Sequence, residues 1–243
     1  MPLASNFPSG AVRPNAPGFG RFNPHPAPRR PAPPVAPAPQ RPFVQHNVGI
    51  LGFHNEAFII ARPTDPRAGW LAERAVALPQ RFHPEKGRTN LTAAIRASLE
   101  LMASRPTGSV NGITLLTDGH ANEQTEQIWA AVSEAVKAGV SIDTIAFGGD
   151  ADEATLRRIS ECTLGRFMRV DALRSMVAAF VANAERLDQR ARGGLSCNVL
   201  AIDLSHSMKE NAGNGQAKIA LVRDAAAALL KWYAARYPNQ LVA

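Results

Sequence analysis

Three short segments of this chain carry side chains suited to holding a cation. They are Asp203-Leu204-Ser205-His206-Ser207, Thr89 within Gly87-Arg88-Thr89-Asn90-Leu91, and Asp118 within Leu116-Thr117-Asp118-Gly119. Carboxylates and hydroxyls are hard oxygen donors, which suit Mg2+ and suit zinc poorly. Alternation along Asp203, Ser205 and Ser207 points all three oxygens to one side of an extended loop. The two cysteines, Cys162 and Cys197, are too few for a Cys-based zinc site or a disulfide scaffold and read as small, buried, reduced thiols.

Each segment adjoins an element that hydropathy makes legible. Residues 48–53 and 57–61 are short apolar runs joined by His54-Asn55-Glu56, a hairpin pattern with His54 exposed in the turn. Helical spacing covers 91–104, 124–138 (stopped by Gly139), 152–161 (capped by Asp152), 172–190 and 216–236, the last ended by Pro238. Buried strands are expected at 111–116, 141–147, 167–170 and 198–202, with a turn-rich linker at 192–196. Strands alternating with helices of this length predict an α/β, doubly wound, mostly parallel sheet with one antiparallel edge strand and helices on both faces. In such a sheet ligands bind in the crevice outside the carboxyl ends of the strands. The Asp203 and Asp118 segments fall at such ends, and Thr89 opens a helix that can pack beside them. One ambiguity remains in the strands: 46–50 and 239–243 both read as the start of the same second strand.

The 243-residue length allows one large domain or two small ones. No run of about 18 apolar residues is present, so no membrane-spanning helix is expected, and the N-terminus lacks the pattern of a signal peptide. The net charge of +7 is uneven. Of 27 lysines and arginines, five arginines lie in the first 46 residues with no acid, which leaves 22 bases against 20 acids in the rest. A near-neutral body lacks the extended basic face that nucleic-acid binding requires. The first 46 residues also hold 13 of the 19 prolines and read as a disordered, partly polyproline II arm.

Taken together, Asp203-x-Ser205-x-Ser207, Thr89 at a helix start, and Thr117-Asp118-Gly119 after a buried strand resemble the metal-ion-dependent adhesion site of the von Willebrand factor type A domain. That family runs serine motif, threonine, aspartate, whereas this chain runs Thr89, Asp118, then Asp203 to Ser207. Placing 198–243 ahead of Val48 restores the family's order throughout. The resemblance therefore implies a circularly permuted, Rossmann-like domain over 47–243, with 191–197 as a new linker and 198–243 as the displaced first strand and helix. It implies direct contact of Ser205 and Ser207 with Mg2+ (or Mn2+ or Ca2+) and contact of Thr89 directly or through water. Asp203 and Asp118 would act through water or as nearby charge, with His206, His120, Asn90 and Gly119 as the ligand rim. The ion would complete its shell with an Asp or Glu carboxylate of a partner protein. The resemblance thus implies a non-enzymatic, cytoplasmic interaction module of bacterial type. The doubled second strand also leaves room for a strand-exchanged homodimer.

Two other classes were weighed. A serine hydrolase would pair Ser205 or Ser207 with a histidine and Asp203 or Asp118. The chain lacks a Gly-x-Ser-x-Gly elbow, however, and His206 is too near both serines in sequence to serve them. Alternatively, the arginine arm, with Phe7, Phe19, Phe22 and Phe43, would bind nucleic acid or an acidic partner through salt-sensitive contacts beside a vestigial metal site.

Overall fold

The computed structural model describes residues 45–62, 87–103, 105, 107–192, 194–213 and 215–236, all within the compact unit Arg41–Ala243. The expectations for the arm, for Pro238 and for 239–243 lie outside the described residues. In chain order the elements are β1 (Gln45–Phe53), β2 (Ala57–Ala61), α1 (Leu91–Met102), β3 (Val110–Thr117), α2 (Thr125–Lys137), β4 (Val140–Phe147), α3 (Glu153–Cys162), β5 (Phe167–Val170), α4 (Leu173–Ala191), β6 (Leu195–Asp203), a short 3-10 turn (His206–Lys209) and α5 (Lys218–Arg236). None of the helices among the described residues is long and apolar enough to cross a membrane.

The six strands form one sheet in the order β2-β1-β6-β3-β4-β5. Every neighbouring pair is parallel except the β1–β2 hairpin, whose antiparallel β2 forms one edge. The last strand among the described residues, β6, is therefore central, with Leu200 opposite Ile50 of β1 on one side and Thr114 of β3 on the other. Side chains alternate across the sheet. Val199 and Ala201 join Ile113, Ile95, Ile128 and Ile159 beneath α1, α2 and α3. Leu200 and Ile202 join Leu116, Phe180, Leu221 and Leu229 beneath α4 and α5. Both faces of the sheet are covered, which is why its strands read as continuous apolar runs.

The helix after β6 covers one face and the helix after β3 covers the other. The crevice between the carboxyl ends of these adjacent strands is thus a topological switch point.

Three local readings need correction, and one open alternative is filled in. β6 begins at Leu195, and Ser196 and Cys197 already pair with both neighbouring strands, so the expected linker residues 195 and 196 belong to the sheet. Ladder pairing on two sides outweighs the turn signal of nearby glycine and serine. Cys162 is exposed whereas Cys197 is buried, because α3 buries the phase of Leu156, Ile159 and Ser160 and residue 162 faces away. Burial pushes the Cys197 thiol up to about 11, against a smaller lowering by Arg105. His54 is half-buried, with its ring 5.2 Å from Phe58 and its Nδ1 accepting from the Asn55 N–H. Finally, 46–50 lies inside β1 beside β6.

Candidate metal centre

β6 delivers Asp203, fully buried, to the end of the sheet. Ser205 stays extended, and the chain then closes into the 3-10 turn, anchored by buried Met208. The expected extended loop is thus replaced by a turn, because Asp203 Oδ1 accepts the Ser205 N–H at 2.7 Å and folds the segment back. The oxygens still meet, with Ser205 Oγ and Ser207 Oγ 3.0 Å apart.

β3 delivers Thr117 and Asp118. The Thr117 hydroxyl donates to Asp203 Oδ2, and Ser207 Oγ donates to Asp118 Oδ1 at 2.7 Å. Thr89 arrives from the segment before α1 and donates to Asp203 Oδ2 at 3.1 Å. Its backbone is clamped by Asn122, whose side chain accepts the Thr89 N–H at 2.9 Å and whose own N–H donates to Thr89 O at 3.0 Å. The His206 N–H donates to Gly87 O, tying this segment to the serine turn. Asp203, Ser205, Ser207, Thr89 and Asp118 accordingly form one hydrogen-bonded cluster drawn from three separate stretches of chain.

Burial pushes the Asp203 carboxyl up to about 6; hydrogen bonds from Thr117 and Ser205 oppose the shift and neighbouring Asp118 adds to it. Beside this acidic pair lies a group absent from the sequence reading. Lys218, the first residue of α5, places Nζ 2.8 Å from Asp118 Oδ2 and 3.1 Å from Glu210 Oε2. Burial lowers the affinity of this ammonium for its proton, but Asp118 and Glu210 outweigh it and the net shift is upward. Helical phase carries a signal for Lys218, since it stands in register with buried Leu221, Val222 and Ala225. Thr117 and Asn122 carry no such signal, because their roles depend on pairing with distant chain.

The rim residues are distributed differently. His206 and His120 are exposed, and His120 Nδ1 lies 4.0 Å from Asp152 Oδ2. The Asn90 side chain is engaged in structure: Oδ1 caps α1 through the Ala93 N–H, and Nδ2 donates to Asn55 O. Gly119 lines the cluster. A Cβ added there would lie 3.1 Å from Thr89 Oγ1 and 3.7 Å from Ser207 Oγ, so its bare backbone keeps open the space between two hydroxyls.

That cradle, ringed by hydroxyl and carboxylate oxygens, fits a hard dication such as Mg2+. Among the described residues no group of three or more His, Cys, Asp or Glu side chains is placed to hold a metal. A cation here would therefore draw on the hydroxyls.

The sequence profile of the von Willebrand factor type A domain matches residues 43–181, a span that includes Thr89 and Asp118 and ends before β6. Among solved structures, the conserved hypothetical protein BatB from Bacteroides thetaiotaomicron is similar at 16% identity and a TM-score of 0.48, covering 59% of this chain and 80% of that one. An uncharacterized membrane-spanning protein from Vibrio fischeri is similar at 18% identity and a TM-score of 0.27, covering 59% of this chain and 75% of that one. No curated protein matches the chain.

Proposed function

The chain belongs to the von Willebrand factor type A domain family, and on that premise we propose that it is a protein-interaction module whose Asp203, Ser205, Ser207, Thr89 and Asp118 hold Mg2+ for an Asp or Glu carboxylate of a partner. The observation that carries this reading is the convergence of three hydroxyls and two buried carboxylates at the carboxyl ends of β6 and β3. Ser207 donates its hydroxyl hydrogen to Asp118 and Thr89 donates its own to Asp203, so each oxygen keeps a lone pair that a cation can use. Few negative ligands then touch the ion directly, and a bound Mg2+ supplies an electrophilic position that a partner carboxylate completes.

The same hydrogen bonds support recognition without bond making or breaking. A serine nucleophile needs a base oriented toward it. Among the described residues the partners of Ser205 and Ser207 are each other and the carboxylates, while His206 is exposed. We also read the domain as circularly permuted. The serine-bearing strand and its helix come last in the chain yet hold the centre of the sheet. A profile match ending at residue 181 is what a displaced first strand leaves behind.

Calorimetric titration of MgCl2 into metal-free protein tests the reading, beside a Ser205→Ala, Asp118→Ala double variant. A one-site signal lost in the variant is expected. Heat that persists in the variant, or no heat from the wild type into the high millimolar range, rejects the metal reading. MnCl2 is expected to substitute for MgCl2. A partner recovered in Mg2+ should release when its contacting Asp or Glu becomes the amide.

A further inference from the structure

We propose that Lys218 is a built-in counter-cation of this site and sets its affinity for divalent ions, which must compete with its ammonium for Asp118. The inference rests on the metal reading above. Asp118 has both oxygens engaged, Oδ1 by Ser207 and Oδ2 by Lys218 Nζ at 2.8 Å. An incoming dication therefore meets a carboxylate whose charge is already answered. The cluster holds two buried carboxylates, Asp118 and Asp203, and one buried ammonium, which pairs with Asp118, so an acidic surplus is left for a second cation.

Nothing about the helix itself favours a lysine at this position. The N-terminus of a helix is the positive end of its dipole, where cations are disfavoured. The first turn of α5 carries no acid to offset this, and the side chain is only 7% exposed. What holds the ammonium is Asp118 from β3 and Glu210 from the loop after the 3-10 turn. The stem reaches them past Gly148, where an added Cβ would lie 3.7 Å from Lys218 Cε. Glu210 is largely exposed, so the ammonium retains a second carboxylate near solvent when an ion takes Asp118. Lysine thus does in the metal-free protein what an ion does in the loaded one: it keeps a buried carboxylate compensated.

The test titrates MgCl2, then MnCl2, into wild type, Lys218→Met, Lys218→Gln, and each lysine variant combined with Ser205→Ala and Ser207→Ala, with thermal melts in EDTA and in metal. The methionine variant keeps the stem and removes the charge. It is expected to bind Mg2+ at one site at least tenfold more tightly than wild type and to lose that binding with the two serines. In EDTA it should melt below wild type, with Mg2+ restoring most of the loss. Lys218→Gln should fall between the two, and it carries the comparison if the methionine variant does not fold. Affinity equal to or weaker than wild type in the lysine variants overturns the inference while leaving the metal reading on the wild-type titration. Absence of serine-dependent binding in wild type and variants alike overturns both.

Discussion

Among the described residues two clusters bury carboxylates, one midway along β4 and one at the carboxyl ends of β6 and β3, and they are built from different donors. Midway along β4, Asp143 is buried against the Arg186 guanidinium of α4 and also accepts the Arg166 N–H at 2.8 Å. Arg186 reaches on to Leu164 O, and Arg190 to Ser141 Oγ. Among the described residues both donors to Asp143 are N–H groups, and one of them is a guanidinium that answers its charge. At the carboxyl ends of β6 and β3, Asp203 and Asp118 are instead surrounded largely by hydroxyls, which donate one proton and keep lone pairs. Burial of an acid therefore does not mark a site by itself. What separates the two clusters is whether the partners leave acceptors over, and whether the cluster faces the crevice at the strand ends.

That contrast can be broken most forcefully at Arg186. Arg186→Met leaves Asp143 buried without its cation and should lower unfolding free energy by about 3–5 kcal/mol. Chemical denaturation measures the loss, and Mg2+ titration of the folded variant should match wild type; a parallel loss of metal binding would merge the two clusters into one unit.

At the strand ends the sign reverses. Burial raises the Asp203 carboxyl to about 6, so in EDTA its contribution is present at low pH and is lost as pH rises through about 6. Asp203→Asn should remove that dependence, which over the rise from 3.8 to about 6 amounts to about 3 kcal/mol at 1.36 kcal/mol per pKa unit. Denaturation curves from pH 4 to 8 check this. The same variant should abolish Mg2+ binding.

Gly119→Ala puts a methyl group beside Thr89 Oγ1 and is expected to weaken Mg2+ binding about tenfold, or about 1.4 kcal/mol, as read by calorimetry. The smallest effect is expected from a surface pair. Arg169 meets Glu153 at 2.8 Å with its own side chain exposed and that of Glu153 half-buried, and Arg169→Ala should change stability by less than about 1 kcal/mol. A larger loss would undo the distinction between paired charges in solvent and paired charges in the interior.

Much of this was legible along the chain, because periodicity and capping are local properties. The hairpin around His54, the helix capped by Asp152, the buried strand into Asp118 and the strand into Asp203 all follow from neighbours in sequence. The five cluster residues were found because each sits at a strand end or a helix start, where alternating patterns break into polar loops. Local reasoning failed where a second strand or helix decided. β6 starts at Leu195 because two neighbours pair with it there. Cys162 is exposed because α3 turns another face inward.

By itself, then, the sequence determined which segments are strands and helices and which loops carry oxygen donors, since both depend on side chains a few residues apart. Only the tertiary structure decided that Thr89 meets Asp203 across 114 residues and that Lys218 meets Asp118 across 100. It also decided that Asp143 is paired with Arg186 while Asp203 keeps company with the hydroxyls of Thr89 and Thr117. The reason is physical: the charge balance of a buried group depends on every element packed around it, and those elements come together only when the sheet is formed.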